Sequence, residues 1–108
     1  MGTFNTATVQ TRCPHCRLEA MRALQFRFGE VWQHVYRQGD ALRWGKPQVG
    51  APEDVAWVLA YPEDGCAGCG EDDDYFEMRV ERGVIGAAIP CRDIRVYQHD
   101  RNFVKEDE

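Results

Sequence analysis

Two short stretches constrain this chain more than anything else in it: Cys13-Pro14-His15-Cys16 and Cys66-Ala67-Gly68-Cys69. At that spacing one tight turn aims both sulfurs at a single ion, and two such turns complete a tetrahedral four-sulfur site. The pairs are therefore read as one shared zinc site, with one Zn2+ per chain. Such a site closes a loop of about fifty residues and restricts the unfolded chain accordingly. That matters for a chain of 108 residues, which is enough for one domain with a modest core that a structural metal reinforces. Residues 1–108 are accordingly expected to form a single zinc-stabilised β domain.

The segments around the two pairs carry strand patterns. Thr6 to Thr11 is rich in β-branched residues and alternates, so it reads as a short strand running into the first pair. Residues 17–24 are ambiguous: Leu18, Met21 and Leu24 recur at helical spacing, while Ala20, Leu24, Phe26 and Phe28 share a period of two. Because Gly29 interrupts a helix and Phe26-Arg27-Phe28 continues the alternation, strand is preferred from about Arg22. Gly29-Glu30 then reads as a two-residue hairpin turn, Val31 to Arg37 as the returning strand, and Ala41 to Trp44 as a third strand of the same meander. Gly45 to Pro52 reads as a loop. Val55 to Tyr61 is the most apolar run and the best central strand. Phe76, Met78 and Val80 alternate with Glu77, Arg79 and Glu81, and Arg82-Gly83 turns the chain into Val84 to Ile89. Ile94 to Tyr97 is expected to add an edge strand, and the polar tail 98–108 is expected to fray. The fold class that follows is mainly β: a small antiparallel sheet or meander with a four-cysteine site.

Gly70 follows Cys69, at the place where a knuckle wants a residue tolerant of positive φ. With its two Cys-x-x-Cys pairs and flanking strands, the chain resembles the zinc-ribbon class, in which two such knuckles at hairpin tips clamp one ion. That resemblance implies that Cys13, Cys16, Cys66 and Cys69 are the ligands of a structural zinc. Two features depart from the pattern. Arg17 stands where a glycine often follows the first knuckle, and the second runs into Glu71-Asp72-Asp73-Asp74, an acidic run beside an anionic four-thiolate centre. Arg12 and Arg17 offset that charge from the other side.

Cys-Pro-His-Cys also resembles the active-site motif of periplasmic disulfide oxidoreductases, which would make Cys13 the nucleophile and Cys16 the resolving thiol. In that fold the motif lies between a strand and a long helix, whereas residues 22–44 here read as a meander, and the second pair would go unexplained. His15 reads as exposed within its knuckle, and His34 and His99 lack a ligand-spaced neighbour. Cys91, beside Pro90, reads as a small buried hydrophobe. No serine-histidine-aspartate set or phosphate-cradling glycine loop is legible, and the expectation is a non-enzymatic protein.

Residues 1–50 carry a net charge of +4 and residues 51–108 a net charge of −9. Arg27 and Arg43 interleave with Trp32, Tyr36 and Trp44, and this set is the candidate partner-binding surface. Tryptophan, tyrosine and arginine together are what protein-interface anchors are made from, so a protein partner and an adaptor role are expected. The same residues could stack single-stranded nucleic acid, but a chain of net charge −5 lacks the dense basic footprint that phosphate binding uses, which makes that the alternative. No apolar run is long enough for a membrane span. With paired rather than disulfide-like cysteines and no leader pattern over Met1 to Arg12, a cytoplasmic location is expected.

Overall fold

The computed structural model describes residues 4–46, 48–71, 75–97 and 101–106. Nine strands follow one another among these residues. They are β1 (Asn5–Arg12), β2 (Glu19–Phe26), β3 (Gly29–Glu30), β4 (Val35–Arg37), β5 (Gln48–Val49), β6 (Val55–Pro62), β7 (Phe76–Glu81), β8 (Val84–Pro90) and β9 (Phe103–Lys105), with a single 3-10 turn at Ile94–Tyr97. Seven of the strands form one mixed sheet in the order β4-β1-β2-β6-β7-β8, with β9 also pairing β6; β3 and β5 form a separate ribbon. The mainly β architecture expected from alternation is present.

Alternation also sets the core. Ala7 and Val9 of β1, Leu24 and Phe26 of β2, Ala56, Val58 and Ala60 of β6, Phe76, Met78 and Val80 of β7, and Ile85 and Ala88 of β8 point to one inner face and pack as one cluster. The two ends of the sheet are drawn together by the chain that leaves β4. Gly39 N–H donates to the Ile85 carbonyl at 2.7 Å, Ile85 N–H to the Asp40 carbonyl at 2.9 Å, and Leu42 N–H to the Gly83 carbonyl at 2.7 Å. The sheet therefore curls into a nearly closed, barrel-like wrap, which leaves few open edges to protect.

Several local expectations are corrected. β2 starts at Glu19 rather than near Arg22 and pairs β1 antiparallel along its whole length, from Asn5↔Phe26 to Arg12↔Glu19. Gly29-Glu30 is not a hairpin turn but a strand paired with Gln48–Val49, inside the segment read as loop. Val31 to Arg37 is not one returning strand: only Val35–Arg37 is extended, and it runs parallel to β1. The cause is Asn5, which is wholly buried. Its side-chain amide donates to the Glu30 carbonyl at 2.9 Å, and its oxygen accepts from Trp32 N–H at 3.2 Å and His34 N–H at 3.0 Å. With its backbone groups satisfied by one side chain, the segment turns away from the ladder, helped by Gln33 at a φ of 58°. Ala41 to Trp44 contributes only a single bridge, Ala41↔Val84. Ile94–Tyr97 is the 3-10 turn rather than an edge strand, and the described part of the tail is not frayed, because Phe103–Lys105 pairs with Ala56–Val58.

Candidate metal centre

The first cysteine pair sits in the turn from β1 to β2 and the second in the loop from β6 to β7, and the two close in the same way. Cys13 N–H donates to the Leu18 carbonyl at 3.0 Å and Arg17 N–H to the Cys13 carbonyl at 2.9 Å. In the second knuckle Cys66 N–H donates to the Glu71 carbonyl at 2.9 Å and Gly70 N–H to the Cys66 carbonyl at 2.7 Å. Arg17 and Gly70 thus occupy equivalent places, and both are left-handed, with φ of 65° and 78°. The arginine does what the glycine does, at the steric cost an L-residue carries there.

The four sulfurs of Cys13, Cys16, Cys66 and Cys69 all lie within 4.8 Å of one another. Across the knuckles the sulfurs of Cys13 and Cys69 lie 3.6 Å apart, as do those of Cys16 and Cys66. A tetrahedron of sulfurs about 2.3 Å from a central ion has edges of about 3.8 Å, whereas a disulfide needs about 2.05 Å. The four residues therefore form a cluster able to hold one ion. Cys13 and Cys66 are buried and Cys16 and Cys69 exposed, so each knuckle contributes one sulfur from beneath and one from the rim. Gly68 allows the close approach, since a Cβ there would lie 2.9 Å from the Cys16 sulfur.

The electrostatics of the cluster alternate. The Cys16 N–H aimed at the Cys13 sulfur draws that thiol below its ordinary pKa, against burial that raises it. N–H groups of Cys69 and Gly68 bring Cys66 down to about 6; the Gly68 nitrogen lies 3.3 Å from its sulfur. For Cys16 the Leu18 N–H lowers the pKa, but burial and the Cys66 and Cys13 thiols outweigh it and the net shift is upward. Cys69, in spite of the Glu71 N–H, is pushed up to about 12 by burial and the three other thiols. By themselves the four groups accommodate some thiolates and resist the rest; a cation at the centre is what allows all four to ionise.

The other sites anticipated from sequence are placed as follows. Cys-Pro-His-Cys lies in a strand-to-strand turn, not at the start of a helix, and His15 is exposed. Of the candidate partner surface, Arg27 and Arg43 are exposed and Trp32 is 66% exposed, but Tyr36 is only 5% exposed. The Tyr36 hydroxyl accepts from the Arg43 backbone N–H at 3.1 Å. Trp44 is half-buried with its ring edge-on to Phe28 at 5.5 Å. The five residues do not make one presented face, and the aromatic platform is mostly core. Cys91 is half-buried, and burial pushes its thiol pKa up. Asp72, Asp73, Asp74 and His99 lie outside the described residues.

One constellation has no counterpart in the sequence reading. Glu77, 2% exposed, accepts from the Arg92 backbone N–H at 2.8 Å, from Arg92 Nε at 3.0 Å and Nη2 at 3.3 Å, and from the Tyr97 hydroxyl at 2.8 Å. The Arg92 guanidinium in turn lies 4.6 Å over the Trp57 ring. Glu77 was legible only as the polar half of an alternating strand; nothing local says that residues 92–97 will fold back over it.

The equivalence of Arg17 and Gly70 makes a paired prediction. Arg17→Gly removes a left-handed penalty of about 1–2 kcal/mol and adds unfolded-state entropy of about 0.5–1 kcal/mol, so a net gain near 0.5 kcal/mol is expected. Gly70→Ala should lose about 1 kcal/mol. Thermal midpoints of the two variants should move in opposite directions by roughly 2–4 °C; movement in the same direction would contradict the equivalence.

Comparison with known proteins places the chain in no family: no family model matches it, and neither does any curated protein or solved structure.

Proposed function

We propose that Cys13, Cys16, Cys66 and Cys69 hold one Zn2+ as a structural ion, and that the protein is a non-catalytic module that binds another polypeptide chain. The observation that carries this reading is the closure of the cluster, with four sulfurs facing one another within 4.8 Å. Four protein ligands leave no position for water or substrate, which is the mark of structural rather than catalytic zinc, and thiolates select zinc over the hard cations. The crosswise sulfur contacts support one shared ion over a Cys13–Cys16 redox couple.

The binding role is supported by what the metal holds in place. β2 pairs β6 only over Leu24, Gln25 and Phe26, and the Ala23 carbonyl accepts from Glu63 N–H at 3.0 Å. By alternation Met21 turns its N–H and carbonyl to the same side, toward the groove between β2 and the second knuckle. Leu18 and Met21 stand exposed beside that edge, 40% and 56%. An unpaired strand edge flanked by apolar side chains is met by an extended polypeptide, which supplies N–H and carbonyl groups at the same repeat. Of the groove's charged lining, Arg22 is already engaged with the Asp64 and Glu71 carbonyls, and the Asp64 carboxylate favours a basic partner.

Metal analysis of protein purified without added zinc should find about one zinc per chain, with four thiols protected from a thiol reagent until a chelator is added. On the loaded protein, a six-residue peptide of alternating valine and lysine should slow exchange of the Met21 amide, and an N-methylated version should not. A metal-free folded protein with a readily reduced Cys13–Cys16 disulfide sinks the zinc reading; equal effects of the two peptides sink the docking edge.

A further inference from the structure

We propose that a cleft of about 490 Å3 on the outer face of β6 and β7, which none of the four clustered cysteines lines, binds a small organic anion: a carboxylate or phosphate monoester carried on a flat apolar body. Its volume falls within the range of about 300–1,000 Å3 that small-molecule sites occupy. Trp57 and Glu77 form its floor, the segment from Arg92 to Val96 one wall, and Arg101 to Glu106 the other.

The case rests on how the arginines are held. Arg92 donates Nε and Nη2 to the buried Glu77 and lays one guanidinium face on Trp57, and Arg95 donates Nε and Nη2 to Asp93 at 2.9 and 3.1 Å. In both, a carboxylate braces the same side of the fork, and neither Nη1 has a hydrogen-bond partner among the described residues. The Arg92 donors are thereby held by a buried carboxylate before any ligand arrives, so little of that side chain's rotamer freedom is lost on binding, while Arg95, paired to Asp93 at the exposed rim, adds a second pair of charge-assisted donors. Among the described lining residues, the carboxylates of Glu77 and Asp93 are already engaged as these braces, and that of Glu106 is the third. Arg101 and Lys105 lie on the facing wall, with the Lys105 ammonium 3.5 Å from a Glu53 carboxylate oxygen.

The ligand's body is set by the remaining surface. The Arg92 guanidinium is covered by Trp57 on one face, and its other face is a planar platform for stacking. Val96 and Val104 supply apolar walls beside it. An inorganic ion would leave that apolar surface wet, while a neutral aromatic would leave the Nη1 donors without an acceptor.

Titrations of the intact 108-residue chain, metal-loaded, with phenyl phosphate, benzoate, inorganic phosphate and phenol, followed by NMR, test this. The Trp57 indole N–H and the Arg92 Nε–H should shift saturably with phenyl phosphate, benzoate or both, and whichever binds names the head group. Inorganic phosphate and phenol should bind at least about tenfold more weakly than the better of the two. Arg95, 79% exposed, can be cut back without disturbing the core, and Arg95→Ala should weaken binding about tenfold; Arg101→Ala should weaken it as well. Absence of saturation by both aromatic anions, or affinities that Arg95→Ala and Arg101→Ala both leave unchanged, overturns the proposal.

Discussion

Cys66→Ser is expected to strip the bound metal and lower the thermal midpoint by roughly 15–20 °C, corresponding to about 4 kcal/mol. The size follows from what the ion joins. Cys13–Cys16 and Cys66–Cys69 are separated by about fifty residues, and pinning such a loop restricts the unfolded chain by about 4 kcal/mol in the loop-entropy picture. The contribution of the metal can exceed this, since binding to a site that exists only in the folded state is itself folding free energy. Cys66 is the most informative of the four to change. It is 5% exposed, its N–H and carbonyl close the second knuckle, and its sulfur receives the Gly68 N–H. Serine keeps the size and the polar character but is a far weaker zinc ligand than a thiolate, so the backbone turn can persist while the ion is lost. Loss of metal then frees the β1–β2 turn from the β6–β7 loop and should deprotect the amides flanking both knuckles. Cys91→Ser is the matching control: Cys91 lies outside the cluster, so its variant should keep a full complement of metal. A Cys66→Ser protein that retains one metal per chain and its melting point would contradict a shared centre.

That the cluster was legible in the sequence, and much of the surrounding chain was not, has a physical origin. Metal-ligand spacing is a local property: a two-residue gap is set by the geometry of one turn, and nothing remote can change it. The same holds for β1, β6 and β7, where inner positions such as Val9, Val58 and Met78 alternate strictly, and for the Arg82-Gly83 turn, both of whose residues have positive φ as a type I′ hairpin requires; in β8 a register shift sets the inner Ile85 and Ala88 three residues apart. Residues 29–44 failed because their conformation is imposed from outside. Asn5, at the far end of β1, satisfies their backbone, and the resulting detour sends Tyr36 and Trp44 inward. The tail failed likewise, for β9 is a strand only because β2 leaves the edge of β6 from Ala56 to Val58 open. Where a partner is distant in sequence, alternation shows the capacity for a strand but not its use.

Glu77 is the clearest instance, and its replacement should be the most destabilising change outside the metal centre. Glu77→Ala is expected to cost about 3 kcal/mol, the lower end of what breaking a buried ion pair costs, because Arg92 at 59% side-chain exposure can turn to solvent. What cannot turn is the rest of the arrangement. The Arg92 backbone N–H and the buried Tyr97 hydroxyl both lose their acceptor, and with them the ties that fasten residues 92–97 across the sheet. Glu77→Gln, of the same shape but without the charge, should fall between Ala and the parent protein. The acid dependence separates charge from shape. Burial raises the Glu77 pKa, but the hydrogen bonds from Arg92 and Tyr97 outweigh it, and the carboxyl is held below its ordinary value in the fold. A group depressed in this way stabilises the protein fully above its unfolded pKa, about 4.3, and loses that contribution as pH falls toward the lower folded value. The melting point of the parent protein should therefore converge on that of Glu77→Gln below about pH 4, while the gap between them stays constant from pH 5 to 7. Acid release of a metal held by the four cysteines would act on both proteins alike, so the difference between their curves isolates the carboxylate. A gap that persists undiminished at pH 3 would mean that the shape of Glu77, not its charge, holds the C-terminal segment in place.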